Sequence, residues 1–234
     1  MNASGNPYKN EFTRLLAIES PIICGAMYPC SNPELVAAAS EAGGIGIVQP
    51  ISLTYVYGYD YRGGLQYIRS LTDKPIGVNM LVEGSSGTYR KRLEEWMEIS
   101  LEEGVRFFVT ALGNPRWVVD KASQVGGIVF HDVTNATHAK KALDNGVDGF
   151  ICVNNRAGGH AGELTPQALY DEISPLEMPQ SVQAVLVAAR HLKRPLKLAT
   201  LAFRWELALL PAEKRLHTMT IRMRLLLPRR RTLF

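Results

Sequence analysis

The chain has 234 residues, 46% hydrophobic and 21% charged, with 20 Gly, 13 Pro and three Cys. That composition excludes a disordered, collagen-like or coiled-coil chain and allows one core of ordinary size. The formal net charge of +4 would by itself invite a search for acidic partners, but the charge is unevenly placed. Residues 177–234 hold twelve Lys/Arg and three Asp/Glu, and residues 1–176 hold 14 and 19, so the first part is acidic and all the basicity is in the tail. The tail also lacks Gly, Asn and Asp, the residues that make tight connections. Two regions follow different rules, with a boundary at 176/177. No uncharged apolar run reaches the roughly 18 residues of a membrane span, so no membrane partner is expected. The opening residues lack a basic start followed by an apolar stretch, so no signal peptide is expected. Cys24, Cys30 and Cys152 match neither zinc spacing nor an even disulfide framework, and a reducing cytoplasm is the expected setting.

In chain order, short apolar runs predict strands over 21–27, 44–49, 75–82, 106–112, 127–133 and 148–153. They are nearly continuous in apolar residues, as parallel strands buried on both faces are. Helical patterns lie between them. Asn32-Pro33-Glu34 supplies a cap, a proline at the first helical position and an acid in the first turn, opening a helix over 34–42. Residues 90–103 carry Leu93, Trp96, Met97, Ile99 and Leu101 among charges, and Gly104 ends that helix. Asn114-Pro115 opens the next, and Asn135 opens one over 136–144. Strand–helix alternation predicts parallel strands joined by right-handed crossovers. Six units suit an open doubly wound sheet or six-eighths of a (β/α)8 barrel; short, regular units without a G-x-G-x-x-G fingerprint favour a TIM-barrel-like α/β fold with six units recognisable and an incomplete barrel.

In such a barrel the chemistry lies at the C-terminal strand ends. Here those ends are rich in small residues and amides, which suit a flat ligand needing close backbone approach. No paired histidines at helical spacing accompany His131-Asp132, so no metal is expected. The sequence A-G-G-H-A-G-E at 157–163 sets His160 between glycines just after the sixth strand, where an imidazole can exchange a proton near neutral pH. Asn79 ends a strand inside the barrel as an amide that needs a partner, which favours a ligand contact. Met27 reads equally as core filling, Cys24 and Cys152 as inert core, and His131 as more structural than catalytic.

P-I-I-C-G-A-M at 21–27, E-A-G-G-I-G at 41–46, P-I-G-V-N at 75–79 and A-G-G-H-A-G-E at 157–163 together resemble the nitronate monooxygenase family, formerly called 2-nitropropane dioxygenases, from about Ser20 to Leu176. The resemblance implies an FMN-bearing TIM barrel that oxidises alkyl nitronates with O2. The partners it implies are a small nitronate or nitroalkane and O2, with no nucleic acid. On the same basis His160 is the base for the α-proton, Gly25, Ala26 and Met27 lie along the flavin, and Asn79 hydrogen-bonds it. Gly158 and Gly159 sit by its phosphate side or ring. Where the family commonly has a glutamine this chain has Val153, which leaves Asn154 as the amide for that flavin contact. Two alternatives remain: an NAD(P)H-dependent flavin oxidoreductase or enoyl-thioester reductase of the same superfamily, and an inactive truncated or pseudogene product.

The family continues with a seventh strand ending in a glycine-rich loop and an eighth carrying Q-M-G-T-R-F, neither of which this chain contains. Codons allowed for Gln180–Val187, read two bases later, encode V-C-A-G-G-I-G; those allowed for Phe203–Leu210, shifted likewise, encode Q-M-G-T-R-F-I. A single insertion or deletion near 176–179 is therefore expected to have put the tail out of frame. Flavin should then bind weakly or not at all for want of the family's phosphate loops, and strands one and six should have unpaired edges. Ala- and Leu-rich stretches at 181–192 and 196–210 predict helices in the tail. Arg229-Arg230-Arg231 and Lys193-Arg194 follow from the shifted frame and need not form a nucleic-acid patch.

Overall fold

The computed structural model describes residues 10–84, 86–158, 161–176, 183–187 and 200–203. Eight parallel strands close into a barrel in sequence order: β1 (Ile22–Cys24), β2 (Ile45–Val48), β3 (Ile76–Leu81), β4 (Phe107–Ala111), β5 (Ile128–Val133), β6 (Gly149–Cys152), β7 (Gln183–Val187) and β8 (Thr200–Phe203). The six predicted units are all present. The unpaired edges expected at strands one and six are corrected: β6 pairs with β7, β7 with β8, and β8 with β1. The helices expected over 181–192 and 196–210 are likewise corrected where residues are described, since 183–187 and 200–203 are strands. The physical reason is tertiary. A six-stranded curl leaves two rows of backbone N–H and C=O groups unsatisfied, and pairing them outweighs a modest helical preference.

The helices are α1 (Glu11–Leu15), α2 (Pro33–Glu41), α3 (Tyr61–Leu71), α4 (Gly87–Glu102), α5 (Arg116–Ser123), α6 (Ala136–Asp144) and α7 (Pro166–Ile173), with a π-helical turn at Ser52–Val56. Their starts follow the expected chemistry. Asn32 Oδ1 accepts from Leu35 N at 2.8 Å, and Asn135 Oδ1 accepts from His138 N at 2.9 Å, each satisfying a first-turn donor. Asn114 Oδ1 accepts from Arg116 N at 2.8 Å ahead of α5. Gly104 follows α4 with φ +77°, a conformation that costs glycine little.

Strand residues alternate between two cores. Inward-facing Ile23, Ile45, Ile47, Phe107, Val109, Phe130 and Ile151 fill the barrel, with Phe12 of α1 and Leu16 just after it packed among them. Phe130 anchors this interior, 5.3 Å from Phe107 in an edge-on contact and 5.9 Å from Phe12. Outward-facing Val78, Met80, Phe108, Val129, Phe150 and Cys152 pack beneath the helices with Leu65, Leu93, Trp96 and Val118. α1 thus plugs one end of the barrel and leaves the C-terminal strand ends as the open mouth. Among the described residues no helix is long and apolar enough to cross a membrane.

Candidate functional site

A cavity of about 790 Å³ occupies the C-terminal mouth. Each of the first six units contributes to its wall: Ala26 after β1, Gln49 after β2, Asn79 on β3, Ala111 on β4, Asp132 on β5 and Val153 after β6. Alternation explains the set. Asn79 stands between outward-facing Val78 and Met80, and Asp132 lies one residue from outward-facing Val133, so both project to the barrel side. The volume lies within the range of small-molecule and cofactor sites.

The polarity of the wall is specific. Asn79 and Gln49 are buried, 8% and 7% exposed, and neither side-chain amide hydrogen-bonds to a described residue. Buried amides normally find partners, so two facing one cavity mark positions for ligand contacts. Gly25 gives a complementary sign. A Cβ built there would meet nothing within 4 Å, and its φ is not in the left-handed range. The protein's own packing and backbone would therefore accept a side chain at Gly25. Met27, by contrast, is buried and held in a tight turn, its N–H donating to Ser31 Oγ at 2.8 Å and its carbonyl accepting from Ser31 N at 2.9 Å. It supports the wall between Ala26 and Tyr28, which line the cavity.

The loop after β6 is tied at its base. Asn155 N donates to Leu164 O at 2.8 Å, and Ala157 N donates to Asn154 O at 3.0 Å. Asn154 is fully buried, and its Oδ1 accepts from Arg156 N at 2.9 Å. It shapes the turn, while Val153 is the residue that reaches the cavity. A Cβ on Gly162 would come within 2.3 Å of Val153 O, so the returning strand of the loop lies directly on β6's end. Gly158 is buried at the end of the described part of this loop; Gly159 and His160 lie outside the described residues.

His131 points the other way, into the layer between barrel and helices, next to Val129 and Val133. The Thr110 hydroxyl donates to Phe130 O at 3.1 Å, so its 2.8 Å contact with His131 Nδ1 is made by the ring's N–H. Nε2 is then the unprotonated nitrogen. Burial lowers the His131 pKa to about 4, so the ring is neutral near pH 7. Burial pushes the Cys24 thiol up to about 11 and the Cys152 thiol up to about 12, which keeps both protonated and unreactive. No group of His, Cys, Asp or Glu suited to a metal occurs among the described residues.

Sequence reasoning noticed Gln49 and Asp132 as strand ends without singling them out. The signal was their position at the C-terminal ends of predicted strands, in phase with the inward face. It also missed Lys141 and His138, which line a lateral extension of the same cavity. These lie on a helix whose periodicity shows only an exposed polar face.

Comparison with known proteins bears on this geometry. A nitronate monooxygenase from Pseudomonas aeruginosa is 37% identical over 191 positions, covering 68% of this chain and 54% of that protein. A (3aS,4S,5R,7aS)-5-hydroxy-7a-methyl-1-oxo-octahydro-1H-indene-4-carboxyl-CoA dehydrogenase from Rhodococcus jostii is 28% identical over 165 positions, covering 70% of this chain and 44% of that protein. Among solved structures, FabK from Thermotoga maritima is similar at 27% identity with a TM-score of 0.66, covering 84% of this chain and 61% of that one. The chain spans about half the length of the curated relatives it matches. The nitronate monooxygenase family pattern matches residues 9–189, which take in the six recognised units and the barrel mouth they build. The chain therefore belongs to the nitronate monooxygenase family.

Proposed function

We propose that this chain is a flavin-dependent oxidoreductase that holds FMN in the barrel mouth and acts on alkyl nitronates or nitroalkanes with O2. The observation that carries the reading is the wall itself: Asn79 and Gln49, buried residues whose amides face the cavity with no partner among the described residues, beside Ala26 just after β1. A planar heteroaromatic ring with donors and acceptors on its edge suits both features. When bound, the flavin supplies the electron acceptor that none of the protein's side chains can be. The residues do the rest. Gly25 and Ala26 permit close backbone approach after β1, and Met27 buttresses that turn. The Asn79 amide hydrogen-bonds the ring edge. Asn154 orders the turn that presents Gly158 and Gly159 to the ligand. His160 takes the α-proton of a neutral nitroalkane, or orients a nitronate, as a base close to neutral pH.

A second reading keeps the flavin and changes the electron donor. The relative named as a carboxyl-CoA dehydrogenase favours an oxidoreduction of a CoA-linked substrate, for which NAD(P)H is the donor we propose. Anaerobic mixing of the flavin-loaded chain with an alkyl nitronate and, separately, with NADH or NADPH distinguishes the two. Bleaching by the nitronate, followed by O2 uptake on aeration, supports the first. Bleaching by NAD(P)H alone supports the second. Neither donor bleaching a bound flavin would contradict both.

A further inference from the structure

The cavity does not stop at the mouth. It continues sideways to the β4–α5 connection and along α6, where His131, Thr134, His138, Lys141, Ala142 and Asn145 form its wall. The two parts differ in chemistry. The mouth carries amides and the Asp132 carboxylate; the lateral arm carries an ammonium, two imidazoles and no carboxylate. Lys141 has no ion-pair partner among the described residues, whereas its neighbour Lys140 pairs with Asp144 at 3.7 Å outside the arm. The His138 ring is oriented by Thr134 Oγ1, 2.9 Å from Nδ1, which leaves Nε2 for another partner.

The arm is also built to stay open. Ala142, a small buried residue on α6, lines it. So do Leu112 and Gly113, where Leu112 holds φ +61° and a Cβ on Gly113 would stand 2.2 Å from Val82 O. A leucine in the left-handed region is strained, and here it leaves a large apolar side chain 56% exposed beside the cavity. The strained Leu112 and the exposed Lys141, which pairs with no carboxylate among the described residues, face the same cavity.

We propose that this arm between the β4–α5 connection and α6 binds the anionic extension of an elongated substrate whose reacting end lies in the barrel mouth, with Lys141 as counter-charge and His138 as a second donor. The ligand class is a nitronate or nitroalkane whose chain carries a phosphate or carboxylate at its far end. The proposal rests on the reading of the mouth as the reaction centre and deepens it. No covalent step is involved; the arm supplies binding and orientation.

The test uses the full chain, with tripolyphosphate and adipate as separate probes in calorimetric titrations, and flavin binding measured on the same samples. Lys141→Glu should weaken probe binding about tenfold or more, the loss of one charge-assisted contact plus a new repulsion, and Lys141→Gln should weaken it by less. Lys140→Glu, the same charge change outside the arm, should leave it within about twofold. Binding of tripolyphosphate alone assigns a phosphate extension, and of adipate alone a carboxylate. Equal losses in Lys140→Glu and Lys141→Glu, no loss in either, or no binding of either probe would overturn the proposal, as would displacement of the probe by FMN. Lys141-dependent probe binding in a chain that takes up no flavin would keep the arm and overturn the flavin reading instead.

Discussion

Replacing Asn79 by leucine separates the cost of a ligand-binding residue to the fold from its benefit to the ligand. Asn79 is 8% exposed, and its amide has no described protein partner. A buried polar group without a partner costs about 1–3 kcal/mol, discounted here because the amide borders a cavity that water can enter. Asn79→Leu, of similar volume, should therefore leave the ligand-free protein as stable or raise its stability by up to about 1 kcal/mol. Flavin binding should move the other way. Losing one hydrogen bond and leaving a flavin edge atom unpaired costs about 1.5–3 kcal/mol, a factor of about 10–150 in Kd. Thermal unfolding with and without FMN reads both effects. FMN at 100 times the wild-type Kd stabilises the wild type by about 2.7 kcal/mol, or roughly 5–11 °C for a chain of this size. With a 30-fold weaker Kd the same FMN stabilises the variant by under about 1 kcal/mol, roughly 2–4 °C. An FMN-induced shift equal in the two proteins would refute the assignment of Asn79 to the ligand.

Other predictions follow from the same structure. Phe130→Ala empties the centre of the barrel between Phe107 and Phe12 and should cost about 3–5 kcal/mol in urea unfolding. His131, with a folded pKa near 4 and an unfolded value near 6.5, binds its proton more readily when unfolded. Stability should therefore fall as pH drops from about 6.5 to 4, by up to about 3 kcal/mol from this group, and His131→Gln should flatten that slope. Thiol labelling of the native protein near pH 8 should leave Cys24 and Cys152 unmodified over times that label both after denaturation. The gene's nucleotide sequence should read V-C-A-G-G-I-G and Q-M-G-T-R-F-I in the frame two bases on from Gln180 and Phe203; any other strings there would end the frameshift proposal.

Much of the barrel was legible because parallel strands buried on both faces announce themselves as apolar runs, and because Asn32, Asn135 and Gly104 mark helix ends by chemistry that acts within a turn or two. α3 was not legible. Its Gly63-Gly64 pair argues against a helix, yet a Cβ on Gly64 would strike the Leu53 side chain at 2.8 Å, so a packing demand from the π-helical turn explains what propensity could not. α1 is five residues long, too short for periodicity, and takes its purpose from the barrel end it plugs. β7 and β8 were read as helix because runs such as Q-A-V-L-V fit either state, and only the open edges of β6 and β1 decide between them. At the site, Asn79 and Gly25 could be found from strand position and motif. Asn154 could be named but not oriented, since only alternation along β6 sends Val153 inward and Asn154 into the wall.

The central claim is that a flat cofactor lies against the backbone after β1. The most direct measurement is riboflavin titration of the wild-type chain and of Gly25→Ala. A Cβ at this position meets nothing within 4 Å, so the variant should fold with unchanged stability. The account predicts saturable one-to-one binding to the wild type and its loss in the folded variant. Equal binding by both proteins, or none by the wild type, would contradict it.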